Sequence, residues 1–146
     1  MDAKLTMEQV RAMDNNSLRA LMAEMFGWEI ASIDQQTSPE GICTLIRGFP
    51  PGKGVLETLY RDWPGNLNHA VELLIGLDWS LGPDRYKGEI ACVIEWGENL
   101  EYGREHCVEE YARTPARAVS LAFVAYKLAR LNKAYRIEDT PGEGGE

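Results

Sequence analysis

Between residues 119 and 129 the chain reads VSLAFVAYKLA, and only Ser120 and Lys127 interrupt the apolar run. Thr114 and Pro115 stand just before it. A threonine side chain accepts a hydrogen bond from the free amides of a first helical turn. Proline suits the first helical position because its missing N–H would have no intrahelical partner there. The stretch 114–131 is therefore predicted as a helix, and a helix apolar almost all round must be buried. It falls short of the ~18 apolar residues of a membrane span and carries Lys127 and Arg130 in its last turns, so it is not expected to cross a bilayer. It is expected to be the spine of a single core.

The 146 residues suit one domain, here 1–133, followed by an acidic, disordered tail over 134–146 that ends TPGEGGE. A domain of this size buries roughly 68–70% of its unfolded surface. With 45% hydrophobic residues it needs neither disulfides nor a structural metal. Asp and Glu number 23 against 15 Lys and Arg, a net charge of −8. That balance argues against direct binding to nucleic acid or anionic membranes, where affinity rests on cations at phosphates. It permits a basic protein surface as partner, including one that normally holds nucleic acid; solubility is the plainer explanation. Cys43, Cys92 and Cys107 are odd in number and widely spaced, which suits a reducing compartment. No apolar run follows basic residues in the first ten positions, so no secretory signal is expected.

Along the chain, Thr6-x-x-Gln9 is a candidate capping box for a short helix, and residues 14–17 (Asp-Asn-Asn-Ser) stop it and cap the next. Leu18, Leu21, Met22, Met25 and Phe26 repeat at helical period, and Gly27 ends that helix. Residues 28–32 and 41–49 read as strands about a turn-rich stretch, 34–41. Residues 50–54, PPGKG, form a loop without phosphate-loop spacing, since Val55 stands where Ser or Thr is required. Residues 55–63 read as a linker or short helix. Asn66 caps a helix running to residues 76–78, 79–81 form a short strand, and 82–84 (Gly-Pro-Asp) turn. Residues 86–96 make the clearest strand, with Ile90, Cys92, Ile94 and Trp96 on one face and Glu89, Ala91, Val93 and Glu95 on the other. Residues 97–99 turn the chain, and 105–112 read better as a strand than a helix, because Pro115 follows so closely.

The helix end Met25-Phe26-Gly27-Trp28, the Trp/Pro-flanked helix beginning at Asn66, the strand pair and the Thr114-Pro115-Ala116-Arg117-Ala118 helix start together resemble the phage ABA-sandwich domain family. The resemblance covers most of residues 5–131. The segment 55–63 and the acidity of 95–110 depart from the family pattern. The resemblance implies an α-β-α layering, a phage or prophage origin and a place in the host bacterial cytoplasm; it carries no catalytic residues. The fold expected is thus α/β of the α+β type: a three-layer α-β-α sandwich with a small, mostly antiparallel sheet and a buried C-terminal helix.

No catalytic constellation is legible. His69 and His106 are the only histidines, no C-x-x-C or H-x-x-x-H spacing supports a metal, and no G-x-S-x-G is present. Two surface features remain. Glu95, Glu98, Glu101, Glu105, Glu109 and Glu110 are relieved by Arg104 alone, and a strand pair would crowd several of them onto one solvent face. Tyr60, Arg61 and Trp63 lie outside the strongest elements and could anchor an interface. The leading expectation is a non-enzymatic, phage-encoded binding protein without cofactor that interferes with a host protein, of counter-defence or anti-CRISPR type. The alternative is an oligomeric nucleotide-binding protein using Arg47, Lys53, Arg61, Arg85 and Trp63.

Overall fold

The computed structural model describes residues 5–84 and 88–139, the stretch 132–139 as helix backbone only. Its contacts divide the chain into two compact units, Met1–Gly65 and Asn66–Glu146. The first holds α1 (Met7–Arg11), α2 (Asn15–Met25), β1 (Glu29–Ser38), β2 (Gly41–Phe49) and β3 (Glu57–Thr58). The second holds α3 (Leu67–Glu72), β4 (Asp78–Asp84), β5 (Glu89–Leu100), β6 (Gly103–Ala112) and α4 (Pro115–Asp139). The class is α+β, and every strand pairing is antiparallel. The expected single sheet is corrected to two of three strands, ordered β1-β2-β3 and β4-β5-β6.

In the first unit the helix ends follow from local chemistry. Thr6 Oγ1 accepts from the Gln9 amide at 3.2 Å, and Gln9 Oε1 accepts from the Thr6 amide at 2.9 Å, which completes the capping box. Asp14 Oδ1 accepts from the Ser17 amide at 2.7 Å and starts α2. At its other end the Gly27 amide donates to Glu24 and the Trp28 amide to Ala23. This six-to-one, five-to-two pairing needs a left-handed residue, and Gly27 supplies φ 95°. Leu18 and Met22 of the apolar stripe are fully buried, with Ile46 and Leu59 also in the interior of this unit. Arg19 ties α2 to the stretch after β3, donating from Nε to the Arg61 carbonyl and from Nη2 to that of Leu59, both at 2.6 Å.

Two expectations in this unit are corrected. Residues 34–38 are strand, because the ladder to β2 continues to Ser38↔Gly41 and only Pro39 and Glu40 turn. Within 55–63, Glu57 and Thr58 form β3 by pairing with Gly48 and Arg47 of β2. Trp63 and Pro64 are buried.

The second unit is a β-meander under a helix. Asn66 Oδ1 caps α3 at 2.9 Å from the Asn68 amide. The helix is shorter than expected: after Glu72 the bonds tighten to three-residue spacing, and the chain leaves through Gly76 at φ 84°. Residues 82–84 belong to β4, where an edge position tolerates Pro83. Residue 97 is not the expected turn; β5 runs on to Leu100 and turns at Glu101 and Tyr102. The expected strand start at Tyr86 lies outside the described residues.

Helix α4 begins as predicted: Thr114 Oγ1 accepts from the Arg117 amide at 3.3 Å. It packs against β5 and β6 and against α3, which fits the expected sandwich and explains why its sequence lacks a polar face. Positions 118–126 are all buried. It continues to Asp139, through part of the stretch expected to be a tail; residues 140–146 lie outside the described residues.

Ser120 lies in the second turn of this helix, fully buried, and its Oγ has no hydrogen-bond partner. A buried hydroxyl without a partner costs free energy that a methyl group does not. Ser120→Ala is therefore expected to raise unfolding free energy by about 1 kcal/mol, read as a higher urea midpoint at unchanged slope. A lower midpoint would show that the hydroxyl is bonded in solution.

Candidate functional site: the open face of the β4-β5-β6 sheet

Alternation along β5 and β6 sends neighbouring residues to opposite sides. Cys92 and Ile94 are fully buried on the side facing α4, and Trp96 meets Tyr126 of α4 edge to face at 4.9 Å. Register then sorts β6: Glu110 lies opposite Cys92, Val108 opposite Ile94 and His106 opposite Trp96. The open side receives Glu89, Ala91, Val93 and Glu95 from β5, Cys107, Glu109 and Tyr111 from β6, and Asp78, Ser80 and Asp84 from β4.

The six glutamates of the acidic run therefore divide. Glu95 and Glu109 share the open face, diagonally across Cys107. The thiol reports both: its pKa is raised, first by partial burial and then by the Glu95 and Glu109 carboxylates. Tyr111 continues the face. Its hydroxyl donates to Glu109 at 2.6 Å, and that bond leads the causes that push its pKa up to about 12. Glu98, Glu101 and Glu105 lie at the hairpin end, all exposed. Glu110 does not join them: it is buried, 4% exposed, on the side facing α4.

A bulge shapes the hairpin end. Gly97 and Glu98 oppose the single residue Glu105, between the pairs Trp96↔His106 and Asn99↔Arg104. Gly97 adopts φ 93°, and a Cβ there would stand 3.0 Å from that of Glu105. The Glu105 carboxylate accepts from the Glu98 amide and lies 3.5 Å from His106 Nε2. Arg104 is the only Lys or Arg in the three strands, and it is engaged. Its Nε and Nη2 donate to the Gly97 carbonyl at 3.2 and 2.9 Å, Nη1 donates to Asp78, and its amide donates to Glu95 Oε1 at 3.2 Å. Beside it lies an open groove of about 360 Å³, lined by Asp78, Trp79, Ser80, Glu95, Asn99, Leu100, Gly103 and Arg104. Leu100 is 58% exposed, so the groove joins carboxylates to an apolar wall. Such a groove suits a lysine or arginine, whose stem is apolar and whose head is cationic.

Sequence reasoning missed Asp78 and Asp84, because which strand lies against the second edge of β5 is a non-local fact. It placed Tyr60, Arg61 and Trp63 together as a possible anchor, but the trio is split. Tyr60 is 80% exposed, whereas Trp63 is 5% exposed, its ring 5.4 Å from that of Phe26. Arg61 is exposed, and its carbonyl accepts from Arg19. For the nucleotide set, the Trp63 stacking surface is thus covered, Lys53 pairs with Glu57 at 3.5 Å, Arg47 is exposed on β2, and Arg85 lies outside the described residues. His106 and Cys107, adjacent in sequence, point to opposite sides of the sheet. Among the described residues no group of three or more His, Cys, Asp or Glu converges as a metal site, and no helix is long and apolar enough to cross a membrane.

No family model, curated protein or solved structure matches the chain.

The three thiols offer a check on the sheet's sidedness. Cys43 is exposed, Cys107 is exposed but flanked by carboxylates, and Cys92 is buried with its pKa raised to about 11 by burial. The thiolate is the reactive form. Alkylation at about pH 8, followed by mass spectrometry, is expected to modify Cys43 first, Cys107 more slowly and Cys92 only on unfolding. Cys92 reacting ahead of Cys107 would show that the two sides are misassigned.

Proposed function

We propose that the chain is a non-enzymatic binding protein that engages a basic surface of a partner protein through the open face of the β4-β5-β6 sheet. The observation that carries this reading is that Glu95 and Glu109 share one open face with Asp78, while the one arginine of the three strands is already bonded to Asp78 and the Gly97 carbonyl. Arg104 offsets Asp78, so the excess negative charge of the open face rests on Glu95 and Glu109, which face no further Lys or Arg of the same strands. Such a face speeds encounter with a cationic partner and rejects anionic ones. Glu98 and Glu101 extend it along the hairpin, and the groove walled by Leu100 gives a partner's lysine or arginine a place to seat. The sequence resemblance suggests the setting, a host protein inside a bacterial cell whose action is blocked by occupation of a basic groove. Tyr60, exposed in the other unit, is a second candidate contact.

The reading is tested with the full chain as bait in bacterial lysate, beside a Glu95→Lys, Glu109→Lys double variant whose circular dichroism matches the parent. The expected result is a partner of basic isoelectric point retained by the parent and released as salt shortens the Debye length below about 8 Å. For the purified partner, the double variant is expected to bind about 10-fold more weakly or worse, chiefly through a slower on-rate. Equal binding by both chains, or affinity indifferent to salt, would overturn the proposal.

A further inference from the structure

The β1-β2 hairpin presents a surface that the acidic face does not account for. From Ile33 to Cys43 every residue is exposed, Ile33 at 49% and Ile42 at 70%. Among the described residues no strand pairs with the outer edge of β1, which is first in its sheet, and β3 covers β2 only at Arg47 and Gly48. A free edge offers unpaired N–H and C=O groups to any passing strand, and proteins normally guard it with charge, proline, a bulge or brevity. The second sheet is guarded in this way. Its edge β4 carries Pro83 between Asp78 and Asp84, and its edge β6 carries Arg104, Glu105, Glu109 and Glu110. The outer half of β1, residues 33–38, has one charge, Asp34, and no proline. Its only register irregularity lies at the far end, between Ile30 and Ser32.

We propose that this edge is an interface between two copies of the chain, β1 pairing antiparallel with the partner's β1 about a two-fold axis. An antiparallel strand is its own complement under such an axis, and the charges single out a workable register. Centred on Gln36, it sets Gln36 against the partner's Gln36, Gln35 against the partner's Thr37 and Asp34 against the partner's Ser38. The two Asp34 carboxylates then stand four residues apart along the seam, roughly 14 Å at ~3.4 Å per residue. That exceeds the Debye length of ~8 Å at physiological salt, so the one charge on this edge does not oppose pairing. The existing register Ile33↔Ile46 and Thr37↔Ile42 puts Ile33 and Ile42 on one side. Joining two hairpins doubles that apolar stripe in a continuous sheet. The contact is narrow, and a Kd in the region of 10⁻⁵ M is expected for it.

Sedimentation velocity of the full chain from about 1 μM to about 500 μM should show the mass rising from one protomer to two. Gln36→Lys sets two ammonium groups against each other at the axis and is expected to weaken dimerisation about 10-fold or more, with circular dichroism unchanged at this exposed position. A second variant tests the register directly. Opposed residues on paired strands have Cβ atoms ≈ 4.5–5.5 Å apart, near disulfide reach. Because Gln36 also lies opposite Cys43 within the hairpin and Cys107 is exposed, Gln36→Cys is made with Cys43→Ser and Cys107→Ser, and mild oxidation is expected to yield a covalent dimer. A single-protomer mass at every concentration would overturn the proposal. Association that Gln36→Lys leaves unchanged would do the same, since it would place the contact elsewhere on the chain.

Discussion

Covering α4 is the constraint on which the second unit depends. Val119, Leu121, Phe123 and Val124 are each at most 4% exposed, and burying such a side chain contributes about 1.5–3 kcal/mol. Four of them together rival the ~5–15 kcal/mol net stability of an entire domain. No single neighbour can enclose a helix with apolar residues on all sides. The chain meets the demand with β5 and β6 on one flank and α3 on another. The meander must therefore turn its apolar side towards α4, which leaves the opposite side for its carboxylates. The polar character of that open face is a consequence of the cover that α4 requires.

The two sides of the same strands show how position decides the fate of one residue type. Glu109 and Glu110 are adjacent in sequence. Glu109 is exposed and accepts from Tyr111, whereas Glu110 is buried opposite Cys92. The single arginine of the sheet acts on geometry as well as charge. By bonding Gly97 and Asp78 it holds the bulge and links the hairpin end to the neighbouring strand, a use that a lysine, with one point of charge, would not reproduce.

Features set by a few neighbouring residues were legible from composition and spacing. The capping box at Thr6, the Asp14 and Asn66 caps, the Gly27 helix end, the Thr114-Pro115 start and the two sides of β5 all belong to this class. Features set by pairing at a distance were not. Residues 34–38 and 82–84 have turn composition, yet each is held extended by a ladder to a partner strand. Glu57 and Thr58 become a strand only because β2 lies beside them. Gly97 carries the signature of a turn, and a bulge uses the same left-handed backbone. For the acidic face, Glu95 and Glu109 could be placed by alternation, but Asp78 and Asp84 needed knowledge of which strand flanks β5. Burial of Trp63 beside exposed Tyr60 likewise depends on contacts such as that with Phe26, which no local pattern encodes.

Both sheets are meanders whose neighbours in space are neighbours in sequence, with no crossover connection in either. Only Pro39 and Glu40 separate β1 from β2, and only Glu101 and Tyr102 separate β5 from β6. Closing such short loops costs little chain entropy, and topologies dominated by local pairing assemble quickly. Each hairpin can zip from its own turn as soon as its residues leave the ribosome. Helix α4, synthesised after both strands of the β5-β6 hairpin, then arrives at a sheet side already formed to receive it.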